Sequence, residues 1–385
     1  MFSSRFHWDF RPNRLTLALA ARRAEEREVL DLTESNPTHA GLAYPDDVTA
    51  AFSGAGLLAY EPAPAGAPAA REAVSEYYRA RGCAVGIERI LLTASTSEAY
   101  AYLFKLLADP GDEVLVPRPS YPLFEFLAAM ENVTVRPYSL VYHGTWGIDL
   151  AGVEAAIGPR TRAIVLVNPN NPTGSYVKRA ELDELARMCR ARGIALVSDE
   201  VFSDYALTGD PRRVSTLAGV DECLAFSMSG LSKVAGLPQM KLGWIVASGP
   251  AAARREALEK LEWIADTYLS VGTPVQCAAA RLLAAGEAVQ RQIRERTARH
   301  LDFARNTLAG SPANLLHVEG GWYAILQVPR IRGEEEWALD LLARGVLVQP
   351  GFFYDFESEA YLVVSLLTGP AIFQEGMARL RDALV

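Results

Sequence analysis

Residues 163–200 read AIVLVNPNNPTGSYVKRAELDELARMCRARGIALVSDE. An apolar run, Ala163–Val167, feeds a polar loop stiffened by two prolines. A helical stretch over 179–192 follows, stopped by Gly193, and a second apolar run, Ala195–Val197, ends on Ser198-Asp199-Glu200. Short apolar runs bounded by turn residues and separated by a helical segment are the repeating unit of an α/β layer with a mostly parallel sheet.

The unit recurs on both sides, from about residue 87 to 248. Ile90–Leu92 leads into Thr93-Ala-Ser-Thr-Ser97 and a helix over 98–108, ended by Asp109-Pro-Gly111. Val114–Val116 leads through Pro117-Arg-Pro-Ser-Tyr-Pro122 into a helix over 122–131. Leu224–Phe226 and Trp244–Val246 flank a Gly-punctuated loop that carries Ser232-Lys233. Ligands of such sheets bind outside the carboxyl ends of the strands, so these loops are where a site is expected.

Beyond this core, residues 13–28 have helical spacing with Asn13 as N-cap, and VLDL (29–32) reads as a short strand running into the polar loop Thr33–Thr38. Tyr60–Gly66 is extended by its prolines. After residue 249 come two long helical patterns, 250–266 and 274–309. Strands at 315–318, 323–328, 346–348 and 361–365 then interleave with helices at 334–344 and 370–384. The expected organisation is a large α/β domain over 41–284 and a smaller α+β domain built from 1–40 and 285–385.

Composition narrows the function. The 385 residues are half apolar and carry a net charge of −8, which argues against nucleic acid or an anionic membrane surface as the main partner. No apolar run reaches the roughly 18 residues of a spanning helix. The N-terminal MFSSRFHWDFRPNR has no signal-peptide h-region, so a cytoplasmic protein is expected. Cys83, Cys189, Cys223 and Cys277 are scattered as free thiols would be. His7, His39, His143, His300 and His317 show no metal spacing and read as structural or solvated. The charged run Arg291–Arg299 reads as the exposed face of a long helix.

Three loops carry chemistry. Ser95-Thr96-Ser97 at a helix start offers hydroxyls and free N–H groups, either as a plain N-cap or as a cradle for a phosphate. Asn168–Gly174 is a rigid loop that presents Asn171, although a turn connector would use some of the same residues. Asp199 ends a buried strand, where a carboxylate is costly unless it meets a cation such as a protonated ring nitrogen. Lys233 is one of only five lysines against 33 arginines. It is either an ordinary surface lysine or one placed to form a Schiff base with a carbonyl cofactor.

The order of Tyr60…Gly66, Ser95–Ser97, Pro119-Ser-Tyr-Pro122, NPNNPTG, SDEVF and the lysine loop resembles the fold-type I, class I/II aminotransferases that use pyridoxal 5'-phosphate (PLP). The likeness runs from about residue 30 to the C-terminus. It implies a seven-stranded-type, mostly parallel sheet with a smaller domain, and a homodimer with shared active sites. It also implies transfer of an amino group between an amino acid and a 2-oxo acid, through a Lys233 aldimine and a pyridoxamine intermediate. In that reading Lys233 also moves the proton between substrate and cofactor, and Asp199 keeps the ring nitrogen protonated. Asn171 donates to the phenolic oxygen and Tyr121 stacks on the ring. Ser95, Thr96, Ser97, Ser232 and Lys241 hold the phosphate, with Tyr60 reaching the phosphate of the neighbouring subunit. Asn36 and Trp322 are substrate-binding candidates, beside Ser35, Thr38 and Tyr323; Gly320-Gly321-Trp322-Tyr323 either closes over substrate or forms a core aromatic pair.

The departures from the family pattern bear on substrate. A tyrosine usually stands where this chain has Phe202, and losing that donor is expected to raise the basicity of the coupled imine. Tyr205 could compensate, at a different spacing. A phosphate-binding arginine is replaced by Lys241, a point charge instead of a bidentate fork, and a frequent serine by Gly230. The R-x-S arginine that grips the substrate carboxylate aligns with Val363 in Val363-Val364-Ser365, leaving Arg330 or Arg332 as possible replacements. Two other functions stay open: another PLP reaction, such as a C–S lyase, cyclising synthase or oxidase, and a non-catalytic effector-binding domain.

Overall fold

In a computed structural model that describes residues 2–384 apart from Ser4, His7 and Glu359, the described residues form a large sheet, a smaller one and a two-stranded pair, joined by helices. His7, read above with the other histidines, lies outside the described residues. The larger sheet has eight strands in the spatial order Ile90–Thr93, Gly243–Ser248, Ala225–Gly230, Ala195–Asp199, Thr161–Val167, Glu113–Arg118, Thr134–Tyr142 and Trp146–Ile148. Six run in one direction. Gly243–Ser248 is antiparallel to both neighbours, and Trp146–Ile148 hairpins back on Thr134–Tyr142.

The expected α/β sheet is therefore present, with one strand more than the seven of the resemblance. The strand pair at 134–148 left little trace in the sequence. Thr134–Tyr142 is largely polar and half-exposed, lying near the sheet's edge, so it lacks the apolar run that marks the central strands. Glu181 fixes the hairpin: one carboxylate oxygen accepts the Ile148 N–H at 2.8 Å, and the other accepts the Lys178 N–H at 2.7 Å, where it helps cap helix Arg179–Arg192. That helix ends as expected at Gly193, in the left-handed conformation.

The smaller sheet is antiparallel, in the order Asn314–Leu315, Tyr323–Gln327, Tyr361–Ser365 and Gln349–Pro350. Leu30–Asp31 pairs in parallel with Val346–Leu347, and Ser365 donates its N–H to Leu32 O at 2.7 Å, so the N-terminal stretch is sewn to the C-terminal third. The first helix, Arg14–Ala24, is shorter than the sequence pattern, with Asn13 capping it by accepting the Thr16 N–H. Helix Thr273–Leu308 runs for 36 residues along both parts. Its charged stretch departs from expectation at one place: Arg296 is buried and donates to the carbonyls of Ala40 and Leu367 instead of facing water.

Two loops approach each other at the carboxyl edge. Gly174 has φ +69°, and a Cβ there would lie 2.5 Å from Gly320 O; Gly320 in turn has no room for a Cβ against Tyr176 and Tyr205 O. Close backbone approach is thus what both glycines allow. Replacing Gly174 by Ala combines a strained φ with a clash and is expected to cost about 2–4 kcal/mol of unfolding free energy in urea titration. A change under about 0.5 kcal/mol, within the ordinary surface range, would show that loop and turn are not packed this closely.

Candidate functional site

The loops after strands Ile90–Thr93, Glu113–Arg118, Thr161–Val167, Ala195–Asp199 and Ala225–Gly230 all open at one edge, because these strands share a direction. Asp199 is level with Val167 on one side and Met228 on the other, while Lys233 stands in the short helix Leu231–Val234 that follows. The Lys233 amine lies 5.0 Å from the Trp322 ring and 5.7 Å from the Phe202 ring. Desolvation lowers its pKa to about 8, with the negative charge of Asp199 working in the opposite direction. Desolvation raises Asp199 to about 6, against hydrogen bonds from Val201 N–H (3.2 Å) and Tyr100 Oη (3.3 Å) and the charge of Lys233. Two opposite ionisable groups thus act on each other's charge without an ion pair between them, as expected where a further polar group is to be held.

Within Asn168–Gly174 the three asparagines divide their work. Asn168 is saturated: its amide donates to Val214 O and accepts the Val177 N–H. Asn170 accepts the Ser120 hydroxyl and donates to Pro119 O and to Thr173 Oγ1. Asn171 is buried, yet its amide bonds to no described residue and its Oδ1 is left without a partner. A buried amide is ordinarily satisfied, so the loop is built by two asparagines and presents the third.

At the start of helix Thr96–Leu107, Ser95 is the N-cap, its hydroxyl accepting the Glu98 N–H at 3.2 Å. Plain capping thus accounts for Ser95 alone. The hydroxyls of Thr96 and Ser97, half-buried beside it, bond to no described residue. Gly230 has a steric reason: its Cβ would sit 2.9 Å from Leu242 O and 3.0 Å from the Gly243 Cα, across the strand pair. Ser232 is half-buried, and Lys241, in the left-handed conformation at φ +51°, is exposed.

Tyr121 is half-exposed beside the apolar cleft that Phe124, Phe352 and Phe353 line. Tyr60 is 78% exposed and lines a surface pocket with Ser270 and Gln276, so the chain does not bring it to Lys233. Asn36 uses its oxygen on the Thr38 N–H and hydroxyl, as the hinge of a turn. Trp322 is fully buried, edge-on to Phe202 at 5.2 Å and to Tyr205 at 5.0 Å: the core aromatic reading holds, and the same ring also walls the lysine. Val363 is fully buried in one cluster with Phe202, Trp322 and Tyr323, so its side of the strand faces the site and offers no charge. Arg332 is engaged elsewhere, with Asp340 and the Trp337 ring, and Arg330 is exposed.

Two side chains, Tyr44 and Gln290, escaped sequence reasoning as parts of the site, and a third, Tyr205, was read for a different task. Tyr205 donates its hydroxyl to Lys233 O, Gln290 donates to Val234 O, and Tyr44 donates to Gly236 O. Only Gln290 carried a local sign, a polar residue at a buried position of an apolar helix stripe. Tyr205 therefore does not replace the tyrosine absent at Phe202. The unpartnered Asn171 amide, the free Thr96 and Ser97 hydroxyls and the Lys233–Asp199 pair fit a flat heterocycle that carries a carbonyl, a protonatable nitrogen and a phosphate. PLP has all of these.

Over residues 27–368 the chain matches the family described as aminotransferase class I and II. It is 31% identical over 264 residues to the glutamate-pyruvate aminotransferase of Escherichia coli strain K12, a stretch covering 66% of this chain and 64% of that protein, under two thirds of that relative's length. An S-alkyl-thiohydroximate lyase of Arabidopsis thaliana is 32% identical over 222 residues, 57% of this chain and 48% of that protein. Among solved structures, the fold is similar to an alanine aminotransferase from Pyrococcus furiosus with a TM-score of 0.90, at 25% identity, covering 100% of this chain and 99% of that one.

In cofactor-free protein, Asp199→Asn removes the charge that favours the ammonium form of Lys233. The amine's midpoint is expected to fall below its native value of about 8. The pH dependence of Lys233 acylation, read by mass spectrometry, measures it. A midpoint that stays or rises would contradict the pairing.

Proposed function

Because the chain belongs to the class I and II aminotransferase family, we propose that it is a PLP-dependent transaminase that moves an amino group from an amino acid to a 2-oxo acid. The observation that carries the reading is the Lys233 amine, largely desolvated and drawn down to about 8, set against Asp199 at the carboxyl edge of the sheet. An amine with that pKa is still mostly ammonium near pH 7 but keeps roughly a tenth of its population neutral, far more than an ordinary lysine, and the neutral form can attack a carbonyl or take a proton.

PLP would supply an electron-accepting ring that stabilises charge developing at the carbon bearing the amino group. Asp199 would hold the ring nitrogen, Asn171 the phenolic oxygen and Tyr121 the ring face. Phe202 offers the phenolic oxygen no donor, which leaves that task to Asn171. Ser95, Thr96, Ser97, Ser232 and Lys241 would hold the phosphate, with Tyr60 supplied by a second copy of the chain in a homodimer. Lys233 would take the proton from the amine-bearing carbon of the donor and return it on the other side of the transfer. The Phe202 and Trp322 rings would exclude water around that amine, which strengthens its interaction with Asp199. Asn36 and Trp322 would border the substrate. The large domain is taken as 41–284 and the smaller as 1–40 with 285–385, and the protein is read as cytoplasmic. No helix among the described residues is long and apolar enough to cross a membrane.

One observation favours a second reading. Val363 turns an uncharged side chain into the aromatic cluster where the family pattern has a carboxylate-gripping arginine, and a site without that grip suits a different PLP reaction, such as a C–S lyase. Mixing the PLP-loaded protein with a panel of amino acids and pyruvate separates the two. A transaminase converts pyruvate to alanine and yields the donor's 2-oxo acid. Release of ammonia or thiol with no alanine would replace that reading by the lyase.

A further inference from the structure

Helix Leu231–Val234 has only four residues, so its carbonyls find few partners inside it and must be satisfied from outside. Side chains from separate parts of the chain do this for the helix and for the turn just after it. Tyr44 reaches Gly236 O at 2.7 Å, Gln290 reaches Val234 O, and Tyr205 reaches Lys233 O at 2.5 Å.

Tyr205 differs from the other two in what else it holds. Its own carbonyl accepts the Gly321 N–H at 2.9 Å, and Ala206 forms a bridge with Gly320. Its ring packs edge-on against Trp322, with centroids 5.0 Å apart. Gly320 has no side chain because a Cβ would stand 2.8 Å from Tyr205 O. One fully buried residue therefore grips both the main chain of Lys233 and the aromatic wall its amine faces.

We propose that Tyr205 is a positioning residue for the Lys233 amine, locking the lysine's main chain and the Trp322 wall into one geometry. Without the hydroxyl, the Lys233 carbonyl keeps only local main-chain partners, the Gly236 N–H at 3.3 Å and the N–H of the capping residue Ala235, and no bond to the rest of the fold. The short helix can then shift against the wall and water reaches the amine. As an account of rate the proposal rests on the transaminase reading; as an account of amine geometry it does not, since that is measurable without cofactor.

The test compares Tyr205→Phe with Tyr138→Phe. Tyr138 is also a buried tyrosine bonded to a main-chain carbonyl, that of Val165, within the sheet and apart from the lysine loop. In cofactor-free protein, competitive acylation with mass spectrometry gives the Lys233 midpoint. Y205F is expected to raise it by roughly half a pH unit or more as the amine regains water, whereas Y138F leaves it in place. In PLP-loaded protein, kcat of Y205F falls about tenfold to a hundredfold, the scale of a small misplacement, with KM for the donor within about twofold. A folded Y205F with an unmoved midpoint and kcat overturns the proposal, as does an equal effect from Y138F. A moved midpoint in a protein that never transaminates upholds the positioning role and defeats the transaminase reading alone.

Discussion

Holding an amine out of water without full compensation is the constraint on which the rest of this structure depends. Lys233, partly buried against Phe202 and Trp322, is offset by Asp199, itself partly buried and raised to about 6. Asp199 accepts from Val201 N–H and Tyr100 Oη, yet its charge stays costly there. That state is stable only because the surrounding backbone is over-determined, and proteins accept such local costs mainly at sites of chemistry.

The over-determination can be traced. Gly230 and Gly243 let two strands close tightly beneath the lysine loop, at the cost of a side chain that could have helped hold an anion. Gly174 and Gly320 let the asparagine loop meet the turn that carries Trp322. Behind that turn, Glu319 accepts the Tyr176 N–H and pairs with Lys178 and Arg213, a buried ion cluster that anchors the turn to the start of helix Arg179–Arg192. Such clusters add little net stability, but breaking one partner leaves a buried charge, so they enforce one arrangement. The Asn171 amide is left over once these contacts are made.

Much of this was legible in the sequence because it was local. The apolar runs and their turn residues marked the central strands, and the NPNNPTG loop and Ser95–Ser97 announced their places by composition. The edge hairpin was not legible, because Thr134–Tyr142 alternates with solvent instead of running apolar. Arg296 was misread as solvated because its partners, Ala40 O and Leu367 O, come from distant parts of the chain. Tyr205 was noticed for the wrong reason: its distance from Asp199 along the chain said nothing about a hydroxyl aimed at Lys233 O. Val363 was placed by its likeness to a family pattern, and the strand pairing explains why that position matters, since its side of the strand faces the aromatic cluster.

Everything turns on which amine meets the cofactor. Protein loaded with PLP, reduced with borohydride, digested and mapped by mass spectrometry answers this directly. The account predicts the added mass on the peptide containing Lys233 and on no other. An adduct on Lys241 or Lys178, or no adduct at all, would contradict it.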